Sequence, residues 1–334
     1  MRIYYHLSDY VSHRITGMEY VACLRALGHE VSHEAAAIEQ ADVAIIHDEP
    51  WIYAGLLARY PGLGRVRRVA CCVWESDALP PAYAEALRLV NEVWTPSRFS
   101  LQIIAPHCAS ASVLPHVVRR IPPTRAAMVF ASEALAPAQG AFRFFSIVDA
   151  ANPRKNAEAL IAAFRAVAGI SRRPVALVLK QYRRVLDFSA VPGIISIDGE
   201  CSAEEIAALH SLCDAYVSAH HAEGWGLGLS EAMAWGKPVI ATGWSGNMEF
   251  MNEDNSFPVP YTVSPVSKRM CEAHPRWTTD MRWAEVDRQA LVAVMGRVAE
   301  GRVPVSLPAK AAAITDRFGP ETVSLRLEAL LGKR

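Results

Sequence analysis

The chain has 334 residues, 51% hydrophobic and 20% charged, and its 34 basic and 34 acidic side chains cancel. That length gives a prior of about two domains, each with a core of ordinary size. The charge balance excludes a strongly basic nucleic-acid footprint, and no window of about 18 uncharged apolar residues is present to cross a membrane. Seven scattered cysteines without zinc-ligand spacing read as reduced thiols. Met1-Arg2-Ile3-Tyr4-Tyr5-His6-Leu7 is too short for a signal peptide and reads as a strand. A cytoplasmic protein without a nucleic-acid partner is expected.

After that strand comes a turn read as containing Thr16-Gly17-Met18-Glu19. Tyr20, Val21, Leu24 and Leu27 recur at helical spacing, with Gly28 as the stop. Glu30–Ser32 and Val43–Ile46 read as the next strands, and the β/α alternation predicts a parallel sheet. The buried run from Arg68 ends in polar groups at Trp74-Glu75-Ser76-Asp77. Ligands of open α/β sheets sit at such carboxyl ends, so Glu75 is either a ligand contact or a polar strand end. His47-Asp48-Glu49 and His116, in Val113-Leu114-Pro115-His116-Val117, leave the same choice open. Residues 120–140, rich in Pro, Ala and Ser, read as an interdomain linker.

A second β/α series begins at Phe142–Val148. The polar loop Asp149–Asn156 follows, then a helical face at Leu160, Ile161, Phe164, Val167 and Ala168, then the strand Val175–Leu179 capped by Lys180. Arg154-Lys155 and Lys180 are cations at successive strand ends, placed to neutralise one diphosphate or to stand as surface charges. Ser202 with Glu205 marks a capped helix start. After the strand Ala215–Ser218, Glu223-Gly224-Trp225-Gly226-Leu227-Gly228 forms a glycine-rich turn into a helix that ends at Lys237-Pro238. Glycine lets a ligand approach the backbone, and free N–H groups with the helix dipole favour an anion. Glu223 and Glu231 bracket this turn. A carboxylate repels phosphate, so the pair suits hydroxyl groups of the same ligand, as in a nucleotide sugar; the plainer alternative is two surface glutamates at a helix start. Glu231 is placed in the first helical turn, held ionised by the dipole.

These residues resemble the Glu-x7-Glu motif of retaining glycosyltransferases of family 4, the group 1 enzymes with the GT-B fold. That motif reads E-G-F-G-L-P-x-x-E-A-M-A-x-G-x-P-V-I-A; here Trp225 replaces the aromatic and Gly228 the proline. Thr16-Gly17-Met18-Glu19, Arg154-Lys155-Asn156, Ser245-Gly246-Asn247 and the Trp283-Ala284-Glu285-Val286-Asp287 helix start resemble further signatures, although only one glycine of the usual first pair is present. The resemblance implies an α/β protein of two Rossmann-like domains facing a cleft: residues 1–135 on the acceptor side, 140–308 holding the nucleotide sugar, and 309–334 as a helix returning to the first domain.

By the same resemblance Lys155 and Lys180 are the preferred pair on the phosphates, with Arg154 either a further donor-binding residue or a side chain facing solvent. Glu223 takes sugar hydroxyls and Glu231 the ribose, while the amides of Gly224, Trp225, Gly226 and Leu227 face sugar and diphosphate. The loop of Gly17 faces the diphosphate, and Glu75 and His116 lie on the acceptor side. The implied reaction is retaining, metal-independent transfer of a hexosyl group to a glycan or glycolipid acceptor in glycan or surface polysaccharide assembly. No cofactor is expected, and peripheral contact with the inner membrane face is allowed. A nucleotide-sugar epimerase, a sugar phosphorylase or a non-catalytic binding subunit would use the same fold.

Overall fold

A computed structural model describes residues 1–332. The chain divides into two compact units, residues 1–118 with the C-terminal segment from Asp316, and residues 119–315. Each is built on a sheet of six parallel strands.

In the first unit the strands are β1 (Arg2–Leu7), β2 (Glu30–Ser32), β3 (Val43–His47), β4 (Arg67–Cys71), β5 (Glu92–Thr95) and β6 (Ala111–Val113), in the order β2-β1-β3-β4-β5-β6. Every residue of β3 is buried, because helices cover both faces of a parallel sheet. One face packs Ile3, Tyr5, Leu24, Ile45 and Trp94 against Val323, Leu327 and Leu330 of the C-terminal helix Pro320–Leu331. Arg67 holds that helix end, donating to the carbonyls of Leu331 at 2.9 Å and Leu330 at 3.1 Å and pairing with Glu92 at 2.7 Å. A cation on the last carbonyls satisfies orphan acceptors and complements the dipole.

The first helix runs from Val11 to Ala26, so Thr16-Gly17-Met18-Glu19 lies inside it and not in a turn. Gly17 faces the sheet: a Cβ there would come within 2.4 Å of Leu7 Cδ1 and 3.0 Å of His47 Nδ1. Its missing side chain lets the helix lie close to β1 and β3, against a helix cost of about 1 kcal/mol. Gly17 therefore serves packing in this structure and offers no loop amide to a ligand.

The second unit contains β7 (Phe142–Val148), β8 (Val175–Gln181), β9 (Ile194–Ile197), β10 (Ala215–Ser218), β11 (Val239–Thr242) and β12 (Phe257–Val259), in the order β12-β11-β10-β7-β8-β9. Its core joins Phe144, Phe164, Leu177, Val217, Ile240, Leu291 and Met295. Residues 120–140 contain the helix Arg125–Ala134, capped by Thr124, which packs on the helix Ala203–Leu212. The unit boundary therefore falls at 118/119, before the expected linker. Alanine is the best helix former, and Ala127 and Ala131 are buried on the packed face. Ser202 and Glu205 form the expected reciprocal cap. The Trp283–Asp287 stretch leads into a helix as expected, with Asp287 capping Arg288–Ala299, but its first four residues lie in β14 (Arg282–Val286), which pairs antiparallel with β13 (Tyr261–Pro265).

Strand order reverses once in each sheet, between β1 and β3 and between β7 and β10. The carboxyl ends of the strands flanking such a reversal are where open α/β sheets hold ligands.

Leu327 is fully buried, whereas Leu325 is 67% exposed. Leu327→Ala should cost about 2–5 kcal/mol and lower the melting temperature, while Leu325→Ala should stay within about 0.5 kcal/mol of the parent. Equal effects would mean that the helix does not pack as described.

Candidate functional site

The loops leaving β7 and β10 meet at the second reversal. Pro153–Lys155 forms a single 3-10 turn, with the Asn152 side chain accepting from Arg154 N at 3.0 Å and Asn156 left-handed at φ 50°. His221 N donates to Arg154 O at 2.8 Å and ties the second loop to the first. Arg154 Nη1 donates to Ala222 O at 2.6 Å and lies 3.2 Å from Glu223 Oε2. Lys155 Nζ lies 2.5 Å from Glu223 Oε1. Arg154 is therefore buried in the site, which decides between the two readings left open for it: its guanidinium binds the Ala222 carbonyl and the Glu223 carboxylate and does not face solvent.

Burial opposes a charge on Glu223, but Lys155, Arg154 and His220 outweigh it and bring its carboxyl down to about 2. Burial would likewise discharge Lys155, yet Glu223 prevails and raises its pKa. His220 is lowered to about 4, chiefly by burial, and sits neutral between Ser218 Oγ at 3.0 Å and Asn247 Oδ1 at 3.2 Å. One carboxylate thus faces two cations, and the surplus positive charge suits an anion.

A second turn clamps Glu223. Ser245 Oγ accepts from Glu223 N at 2.8 Å, and Gly246 N donates to Glu223 O at 2.7 Å. A Cβ on Gly246 would lie 1.9 Å from Gly224 O, so only glycine fits. Ser245 adopts φ 77° and ψ −148°, a region essentially reserved for glycine, which stores strain of about 1–3 kcal/mol. Trp225 is buried against Phe250 and donates Nε1 to Ser230 Oγ at 3.1 Å, so its ring belongs to the core. Gly226, at φ 94°, turns the chain into the helix Leu227–Ala234. Gly228 lies beneath Tyr216: a Cβ there would approach the hydroxyl to 2.4 Å, and that hydroxyl accepts from Ile147 N at 3.1 Å.

The helix begins at Leu227, so Glu231, its fifth residue, falls in the second turn and not the first. The dipole effect is confined to the first turn, and the carboxylate instead lies 3.4 Å from His210 Nε2. Lys180 is buried near the end of β8 and donates to the carbonyls of Gln181 at 2.6 Å and Gly199 at 2.5 Å. It braces the Gly199–Cys201 loop and, among the described residues, forms no hydrogen bond with the Lys155–Glu223 pair. His220, Ser245 and Asn152 complete the site; the Ser245-Gly246-Asn247 turn was expected near the donor by resemblance, whereas His220 and Asn152 were singled out by no spacing.

In the first unit His116 is buried, with Nδ1 2.9 Å from the Tyr20 hydroxyl, and burial followed by the nearby His13 lowers it to about 3. His47 is likewise buried, 2.8 Å from the Tyr5 hydroxyl and 3.2 Å from Thr16 Oγ1. Both histidines are satisfied within a neutral core cluster. Glu75 is half-buried in the loop after β4. Among the described residues no helix is long and apolar enough to cross a membrane.

Residues 137–260 match the family model for glycosyl transferases group 1. No curated protein matches the chain. The structure of Anabaena Alr3699/HepE in complex with UDP superposes with a TM-score of 0.69 at 15% identity, covering 100% of both chains. Sucrose-phosphate synthase of Thermosynechococcus elongatus gives 0.68 at 14% identity over 99% of this chain and 98% of its own. The pneumococcal O-GlcNAc transferase GtfA, solved with UDP and GlcNAc, gives 0.59 at 13% identity over 94% of this chain and 59% of its own. The fold is that of GT-B glycosyltransferases.

The depressed Glu223 pKa fixes the sign of a pH effect. Its ion pairing should stabilise the fold fully above pH 4.5 and be lost as pH falls toward 2. Glu223→Gln leaves two cations without their anion and should destabilise by about 3–5 kcal/mol at neutral pH. That gap should narrow in melts taken from pH 4.5 downward; a constant gap would mean that Glu223 is not held charged.

Gly228→Ala should lower the melting temperature, and part of the loss should return in Gly228→Ala/Tyr216→Phe, which removes the clashing hydroxyl. Strict additivity of the two substitutions would place Tyr216 elsewhere.

Proposed function

We propose that the chain is a retaining, metal-independent glycosyltransferase of family 4, moving a hexosyl group, mannosyl among the candidates, from a nucleoside-diphosphate sugar to an acceptor hydroxyl. The observation that carries this reading is the buried Glu223 held between Lys155 and Arg154 at the β7–β10 reversal, inside a segment that matches the group 1 glycosyltransferase model. A carboxylate for hydroxyls and surplus positive charge for phosphate are two recognition elements of one ligand.

In this reading the C1–O bond to the diphosphate breaks and its electron pair stays on the leaving oxygen. The acceptor oxygen bonds C1 from the same face, and its proton passes to the leaving phosphate. Lys155 and the amides from Gly224 to Leu227 stabilise the departing charge. Glu223 positions the sugar through its hydroxyls, and its negative charge favours an electron-poor C1. Glu231 receives the ribose, and Lys180 holds the Gly199–Cys201 loop against the nucleoside. A setting in glycan or surface polysaccharide assembly on the cytoplasmic side fits such a donor. HepE and GtfA were solved with UDP, so uridine donors come first in the test.

The test is a panel of UDP-, GDP- and ADP-sugars, following nucleoside diphosphate release by water or by an added sugar acceptor. One donor should turn over equally in EDTA and in magnesium, and the product should keep the donor's anomeric configuration. Glu223→Gln should lower turnover by one to several powers of ten, at about 1.4 kcal/mol for each, with bare diphosphate binding largely intact. An inverted product, or turnover only with metal, would overturn the mechanism.

A further inference from the structure

We propose that the β13–β14 ribbon braces the donor site, with Trp283 and His221 as positioning residues that hold Arg154, and through it Glu223, in place. This rests on the transfer reading and deepens it by naming what fixes the loops of that site.

Between β12 and the helix Arg288–Ala299 the chain leaves the sheet and forms this ribbon, with the helix Lys268–Ala273 between its two strands. An isolated two-stranded ribbon is marginal in water, so it must pack against something. Val266, Met270, Trp277, Met281 and Trp283 are all buried. Val266 N donates to Met281 O at 2.8 Å and closes the ribbon's end. The helix Lys268–Ala273 packs on the Pro153–Lys155 turn, and its Arg269 pairs with Glu158 in the first turn of the helix Ala157–Ile170.

The second contact is with the loop leaving β10. Ala284 N donates to His221 O at 3.0 Å, and His221 Nδ1 donates to Ala284 O at 2.7 Å. A carbonyl only accepts, so Nδ1 carries the proton. The imidazole lies flat on the Trp283 indole, with ring centres 4.0 Å apart and planes at 16°. His221 is thereby held by its backbone and by its ring. From there the tie runs inward. His221 N donates to Arg154 O at 2.8 Å, and Arg154 Nη1 donates to Ala222 O at 2.6 Å and lies 3.2 Å from Glu223 Oε2. One chain of contacts leads from the ribbon to the carboxylate.

Stability alone does not account for Trp283. Its Nε1 is buried without a hydrogen-bond partner among the described residues, and so is the Oγ of Ser264, its cross-strand partner. A buried unpaired donor is costly, and an apolar side chain of similar size would avoid the cost. What the indole supplies is a broad flat face where His221 must stand. Small displacements of a group that positions the reacting sugar lower turnover steeply, so the brace acts on turnover.

Trp283→Leu, Trp283→Phe, His221→Gln and Met281→Ala test this in the full chain. Met281 is buried just before β14, and Met281→Ala loosens the ribbon without altering either ring of the stack. Trp283→Leu should lower kcat with the donor that the parent uses by about tenfold or more, with KM near the parent's. Trp283→Phe should recover most of that loss, because an aromatic face remains. His221→Gln, which keeps a donor for Ala284 O but removes the stacked ring, should match Trp283→Leu. Met281→Ala should lower the melting temperature and keep the parent kcat. Residue-resolved amide exchange reads the same tie without turnover. In Trp283→Leu the amides of His221 and Glu223 should exchange faster by about tenfold or more; in Met281→Ala they should not, and Phe144 and Phe145 of β7 should be unchanged in both. Parallel losses of kcat in Trp283→Leu and Met281→Ala, no recovery in Trp283→Phe, a normal kcat in His221→Gln, or unchanged exchange at His221 and Glu223 would overturn the brace. Faster exchange as stated, in a parent that turns over no nucleotide sugar, would support the brace and sink the transfer reading alone.

Discussion

The second unit is arranged around one buried carboxylate between two cations. Taking such charges out of water costs several kcal/mol for each ion, and only close pairing with further hydrogen bonds offsets it. Glu223, Arg154 and Lys155 meet that condition, because Arg154 also donates to the Ala222 carbonyl and the Glu223 amide is held by Ser245. The requirement propagates outward. The β7 loop must turn back through left-handed Asn156, the β10 loop must be tied to Arg154 O, and the chain after β11 must pass so close to Gly224 that Gly246 can carry no side chain.

That arrangement is not the cheapest way to fill space. Hydrophobic residues of similar volume are often as stable as a buried ion pair or more so, and Ser245 adds backbone strain where glycine would have none. Strain and a buried cluster of charges concentrated at one sheet reversal, next to a helix start, are what a site preorganised for a charged ligand contains. The histidines divide by the same physics. His220, His47 and His116 are desolvated and neutral, so they shape their surroundings by hydrogen bonding and not by charge.

Much of this could be read from the sequence. The β/α alternation was plain because both sheets are covered on two faces, which makes runs such as Val43–Ile46 continuously apolar. The Ser202–Glu205 cap was legible because capping is local chemistry. Gly17 was misplaced because its reason for being glycine is tertiary, the approach of Leu7 and His47, and nothing nearby in sequence announces that contact. Whether Arg154 faces solvent or the site could not be read locally, because its burial depends on the Ala222 carbonyl, 68 residues away along the chain. Glu231 was placed one turn early although the helix start near Leu227 was legible, because it is already the fifth residue of that helix. Gly228 departs from the resembled motif for a similar reason: a tyrosine on β10 occupies the space where a side chain would stand.

The central claim is that the loops after β7 and β10, with the turn after β11, form one ligand site. Backbone hydrogen exchange, followed residue by residue with and without saturating nucleoside diphosphate, tests it most directly. The account predicts slowed exchange at the amides of Arg154, Lys155 and Gly224 to Leu227, with β9 and the helix Arg125–Ala134 unchanged. Binding that protects other segments and leaves these amides exchanging at their free rates would contradict it.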